Sequence, residues 1–85
     1  MTDWYESKAR VRALKNLGEE NSDECLAFLG DVDIEFVVAD TNTYDVHPKI
    51  SGAVIWNPGE WLVVWNKQIA RTMTDDMFHA RWRKL

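Results

Sequence analysis

The side chains able to do chemistry are few and scattered. His47 and His79 are the only histidines, Cys25 is the only cysteine, and the other nucleophiles are dispersed Ser, Thr and Tyr hydroxyls. Nucleophilic catalysis needs a base within hydrogen-bond reach of the nucleophile and a third group to orient that base. No such set can be named from these residues. Cys25 sits with Leu26, Phe28 and Leu29 at helical spacing, which makes it a small core hydrophobe rather than a thiolate. Asp31, Asp33 and Glu35 alternate as Asp-x-Asp-x-Glu, the opening of a calcium loop. Such a loop needs Gly at its sixth position and Glu at its twelfth, and here these are Phe36 and Asn42. Asp75 and Asp76 read as acids at a helix start, where the dipole favours them. No Gly-rich phosphate loop and no Cys/His zinc spacing is present. The expectation is a protein that is not an enzyme and uses no cofactor or metal.

Binding is the remaining chemistry. Lys8, Arg10, Arg12 and Lys15 are expected to line one face of a strand, near Arg81, Arg83 and Lys84 if the ends pack together, with Trp4 and Tyr5 available for base stacking. That is the alternative reading, a nucleic-acid binder. The formal net charge of −4 opposes it, because counterion release rewards a basic patch well separated from acids. A third reading takes Glu19, Glu20, Asp23, Glu24, Asp31, Asp33 and Glu35 as an acidic DNA mimic, although true mimics are far more acidic. Charge is unevenly spread: residues 1–17 and 61–85 are net basic, and in residues 18–60 ten acids face Lys49.

Aromatic residues are in surplus, with five Trp, two Tyr and three Phe in 85 residues. Each can bury about 150–250 Å². Trp61, Val63 and Trp65 fall on one side of a strand, and Leu62 and Val64 on the other, with Trp56 near them. Both faces of that ribbon are apolar, so the second is either covered by a helix or presented to a partner or a second copy of the chain. Trp4, Tyr5 and Tyr44 are expected in a terminus and a loop. Together with Trp56 and Trp65 they are the candidate protein-binding residues, since Trp and Tyr dominate binding energetics.

These residues must be positioned by a single small domain, residues 1–85, with 46% apolar and 28% charged residues, a globular composition. A lone cysteine suits a reducing compartment, the opening residues do not resemble a leader, and the longest apolar run, residues 61–65, is far too short to span a bilayer. A cytoplasmic protein with no membrane contact is expected. Residues 8–14 alternate like a half-buried strand, but their propensities and the flanking Thr2 and Gly18 also fit a helix. Ser22 reads as the cap of a short helix ending at Gly30. Residues 34–38 read as a strand, residues 40–48 as a loop. Residues 54–56 and 61–65 flank Asn57-Pro58-Gly59-Glu60, which predicts an antiparallel hairpin. A weaker reversal at residues 66–68 leads to residues 69–71. Thr74 caps a last helix whose inner stripe is Phe78, Trp82 and Leu85.

Tyr5 with the basic segment after it, residues 20–30 (Glu-Asn-Ser-Asp-Glu-Cys-Leu-Ala-Phe-Leu-Gly), Pro58-Gly59-Glu60-Trp61-Leu62-Val63 and Asp76-Met77-Phe78 with Trp82 near the last residue together resemble a family of small phage and prophage proteins. Its hallmarks are Pro-Gly-acid-Trp followed by aliphatics, an acid-apolar-Phe in the last helix and an aromatic near the end. The chain departs from the pattern around Gln68, Ala70 and Arg71, where the family carries Gly and aromatics. The resemblance implies a strand at residues 8–14 and a phage accessory role, and supplies no catalytic residues. The resulting expectation is an α+β fold of order β-α-β-β-β-β-α, one small antiparallel sheet with the C-terminal helix packed on it. The expected function is to bind, and inhibit or perturb, a host protein in the host cytoplasm, in defence, transcription or cell division and growth.

Overall fold

A computed structural model describes the backbone of residues 4–6 and 10–84 and the side chains of residues 11–82. Strand β1 (Trp4–Glu6) pairs antiparallel with β2 (Arg10–Lys15), so the period of two prevails over helical propensity in the basic segment. The cause is packing: Val11 and Ala13 are buried on one side of β2, while Leu14 is packed on the other. At Gly18 the backbone turns left-handed (φ 72°) into a 3₁₀ turn, which delivers the chain to α1 (Ser22–Gly30). Ser22 is therefore the first residue of this helix and not its cap. Asn21 holds the cap position, and its side chain faces backward, accepting from the Leu17 N–H (2.8 Å) and donating to the Lys15 carbonyl (2.8 Å).

Strands β3 (Ile34–Asp40), β4 (Thr43–Pro48) and β5 (Val54–Trp56) form a three-stranded antiparallel sheet in that order. The loop expected at residues 40–48 is mostly strand. Thr41 and Asn42 both take positive φ (50° and 66°), which closes a two-residue hairpin. Beyond it Tyr44, Val46 and Pro48 point inward, alternating with the half-exposed Thr43, Asp45 and His47. The polar residues on the outer face gave this segment the composition of a loop.

Strands β6 (Trp61–Trp65) and β7 (Gln68–Met73) are joined by Asn66 and Lys67, again with positive φ (52° and 64°). Helix α2 (Asp75–Arg81) follows, capped by the Thr74 hydroxyl accepting from the Met77 N–H (3.3 Å). It ends four residues before Leu85, which lies outside the described residues. Trp82 is extended, and β8 (Arg83–Lys84) pairs with β1. The second sheet runs β7-β6-β2-β1-β8.

The fold is α+β, with its strands in two sheets rather than one. The hairpin expected across Asn57-Pro58-Gly59-Glu60 is not formed: β5 and β6 belong to different sheets, and residues 57–60 carry the chain between them. The bend itself is real, closed by the Asn57 N–H on Glu60 Oε1 (2.8 Å) and the Glu60 N–H on the Asn57 carbonyl (3.1 Å). A strand apolar on both faces needs a layer on each side. One side of β6 (Trp61, Val63) packs with Val11, Ala13, Met73 and Phe78 beneath α2, where the Trp61 and Phe78 rings stack at 3.9 Å. The other side (Leu62, Val64) packs with Tyr44, Val46, Trp56 and the α1 residues Cys25, Phe28 and Leu29. The second apolar face is thus covered by a sheet and a helix together.

Candidate functional site

The three-stranded sheet buries its inner face and leaves its outer face open. Phe36, Val38 and Ile55 project outward and are 49%, 51% and 48% exposed. Phe36 and Val38 are i, i+2 neighbours on β3 with Phe36 opposite His47, while Asp45 stands between Val38 and Ile55 across the sheet. The Phe36 ring stacks on the His47 imidazole at 4.2 Å, and His47 Nε2 lies 3.2 Å from Asp45 Oδ1. The result is a mixed surface, with Phe36 and Val38 on the edge strand, Ile55 two strands away and the Asp45–His47 pair between them. These three apolar residues were not singled out from the sequence, yet a signal for them exists. Apolar residues occupy both parities of residues 34–38, so burying Val37 in the core forces Phe36 and Val38 outward.

Of the aromatic residues named from the sequence, Trp65 is 59% exposed at the last residue of β6 rather than buried with Trp61 and Val63. Tyr44 and Trp56 are not exposed. Tyr44 belongs to a strand rather than a loop and is 2% exposed, Trp56 is fully buried, and their rings meet at 5.5 Å in the core. Trp4 and Tyr5 lie on β1, Tyr5 in register with Val11 and Lys84, and their side chains fall outside the described residues.

Arg12 and Lys15 do not share a face. Lys8 and the Arg10 side chain lie outside the described residues; Arg10 is in register with Glu6. Arg12 and Lys15 have opposite parity and so point to opposite sides of β2. Arg12 covers the Phe28 ring (5.1 Å) and reaches Asp31 (3.4 Å), while Lys15 reaches Asp75 (3.3 Å) on α2. The chain ends do meet, because β1 lies between β2 and β8.

Asp75 ties α2 to the large sheet. Its Oδ1 accepts from Trp61 Nε1 (2.9 Å) and lies 3.3 Å from Lys15 Nζ and 3.2 Å from His79 Nε2. The indole N–H first, then Lys15, hold its carboxyl below the usual carboxylate range. A depressed folded-state pKa stabilises the fold above the unfolded pKa, and that contribution is lost as pH falls through the folded value. Denaturant titrations at a series of acid pH values are expected to show stability falling as pH drops below the unfolded carboxyl value, with a shallower fall for Asp75→Asn. An equal slope in the variant would refute this role.

Burial, aided by Glu24, pushes the Cys25 thiol up to about 11, so it is no ready nucleophile. Among the described residues no three His, Cys, Asp or Glu side chains gather as a metal ion requires, and no helix is long and apolar enough to cross a membrane. No protein family, curated protein or solved structure matches this chain.

Proposed function

We propose that this chain is a non-enzymatic phage accessory protein that acts by binding a protein of the bacterial host, and that the outer face of the three-stranded sheet makes the contact. The observation that carries the reading is the exposure of Phe36, Val38 and Ile55 on one sheet face, where among the described residues the large apolar side chains of the other sheet faces, Trp65 aside, are packed against α1, α2 or one another. Exposed large apolar side chains interleaved with polar ones are a common feature of protein-binding surfaces. The phage character rests on the sequence resemblance. Among the described residues the basic strand lends the nucleic-acid alternative no comparable surface, since Arg12 and Lys15 diverge and each already has an acidic partner.

The triple variant Phe36→Thr, Val38→Thr, Ile55→Thr keeps residues suited to a strand while removing the apolar surface. It is expected to stay folded by circular dichroism and to change stability by no more than about 1–2 kcal/mol. Affinity capture from bacterial lysate is expected to retain a protein on the wild type that this variant loses. If the two capture the same proteins, or neither captures any, the proposal fails.

A further inference from the structure

We infer that the open edge of β3 accepts an added strand, and that the occupant is an extended segment of the partner protein, apolar in its middle and basic at its ends. The inference rests on the protein-binding reading and makes it specific.

The hydrogen-bonding geometry follows from the hairpin. A two-residue loop closes on a hydrogen-bonded pair, here Asp40 and Thr43, and in an antiparallel ladder such pairs alternate with unbonded ones. Val38 with Asp45 and Phe36 with His47 are therefore bonded pairs. Ala39 with Tyr44 and Val37 with Val46 are not, so the N–H and C=O groups of Val37 and Ala39 point away from β4. Among the described residues no strand lies on that side, and β3 is the end of its sheet. Seven residues of edge with exposed Phe36 and Val38 is the arrangement folded proteins usually blunt, and it is the template used when a peptide extends a sheet.

Charge selects the occupant. Asp33 and Glu35 stand at one end of this edge and Asp40 at the other, with Asp45 on the adjacent strand. Asp33 accepts from Gln68 Nε2 (3.2 Å), Asp40 from the Thr41 hydroxyl (3.2 Å), and Asp45 lies against His47. Asp31 and Asp75 have an Arg or Lys partner, whereas among the described residues none of these four carboxylates has one. Lys49 and Lys67 meet this edge at Asp33, through backbone hydrogen bonds. An incoming segment with cations at both ends meets complementary potential there, and apolar residues between them continue the row of Phe36 and Val38.

The same charges disfavour a second copy. Antiparallel self-pairing centred on Val37 sets Asp40 of each copy opposite Ile34 of the other, flanked by Asp33 and Glu35. Two such clusters of like charge would form per dimer.

The test uses the whole chain and the synthetic peptide Lys-Lys-Val-Thr-Val-Thr-Val-Lys-Lys, with the Glu-for-Lys peptide as control. Amide hydrogen exchange read by NMR is expected to slow about tenfold at Val37 and Ala39 with the basic peptide. The effect should weaken as salt rises and be absent with the acidic peptide. Ala39→Pro removes one outward N–H and leaves the ladder to β4 intact, since an edge position tolerates proline; it is expected to abolish the slowing at Val37. Unchanged exchange at saturating basic peptide overturns the inference, and that measurement on the wild type decides it even if the proline variant does not fold. Equal protection by the acidic peptide also overturns it. So does a concentration-dependent dimer in sedimentation that Ala39→Pro abolishes, which would make the occupant a second copy. A bacterial protein lost with the triple Thr variant but kept by folded Ala39→Pro refutes strand addition while leaving the binding face standing.

Discussion

Trp56→Ala is expected to remove about 4 kcal/mol of stability, most of what a domain of this size has to lose. Trp56 is fully buried where the two sheets meet, with its ring 5.5 Å from Tyr44 and 6.2 Å from Phe28. Truncating it leaves a void that the surrounding strands cannot close, because Leu62 and Val64 are held by the ladder of the other sheet. Trp56→Phe separates the ring from its hydrogen bond. The indole Nε1 donates to the Glu60 carbonyl (2.9 Å), but that carbonyl also accepts the Asn16 N–H (2.9 Å) and so keeps a partner. The phenylalanine variant should therefore cost only about 1–2 kcal/mol, mainly through lost volume. Urea titration followed by far-ultraviolet circular dichroism measures both. Should Trp56→Ala fall within 1 kcal/mol of wild type, by the scale for buried aromatic truncation, the two-sheet core described above is wrong.

The same residue marks the boundary of what the sequence makes legible. Period-two alternation in residues 8–14, the Thr74 cap with its acids, and the apolar face of Cys25, Leu26, Phe28 and Leu29 are local signals, and β2, α2 and α1 formed there, although Leu26 is exposed and α2 stops at Arg81. The bend at Pro58-Gly59 is equally local, but turn chemistry specifies a reversal without specifying which strand receives the chain. β6 is apolar on both sides, which demands two covering layers, and it pairs with β2 and β7 while β5 departs to the other sheet. Thr43–Pro48 was hidden because its outward residues are polar. The basic segment illustrates the opposite limit: a count of cations ignores parity, and parity alone sends Arg12 and Lys15 to different layers. The exposed patch was readable only after one face of β3 was known to be buried, since Phe36 and Val37 are equally apolar in the sequence.

Asn16→Ala is the second large effect expected, at about 3 kcal/mol, from a side chain that touches no apolar cluster through its polar atoms. Asn16 is fully buried just past β2, where every polar group it has is used. Its Nδ2 donates to the carbonyls of Asn42 (2.7 Å) and Trp56 (3.4 Å), and its Oδ1 accepts the Gly18 N–H (2.9 Å). Its own N–H donates to the Glu60 carbonyl (2.9 Å), and its carbonyl accepts the Gly59 N–H (2.7 Å). One residue thus joins the end of β2, the tip of the β3–β4 hairpin, the end of β5 and the bend between the sheets. Alanine keeps the two backbone bonds and takes the side-chain partner from the Asn42 carbonyl and the Gly18 N–H, while the Trp56 carbonyl keeps its place in the β4–β5 ladder; two lost partners at once are why the loss exceeds that of an ordinary hydrogen bond. Asn16→Asp is the sharper test. It is nearly the same shape, but an ionised carboxylate only accepts, so it would present negative charge to the Asn42 and Trp56 carbonyls in a buried place. Its folded-state pKa must rise above the unfolded value of about 3.9, because only the protonated form can donate to one of them. The unfolded chain then releases its proton first as pH rises, so stability falls through that window and stays low above the folded pKa. The variant should therefore approach wild-type stability on acidification, opposite in sign to the contribution of Asp75. Denaturation at matched acid and neutral pH settles it: if Asn16→Asp loses no more stability at neutral pH than at acid pH, Asn16 is not the buried donor that joins the two sheets.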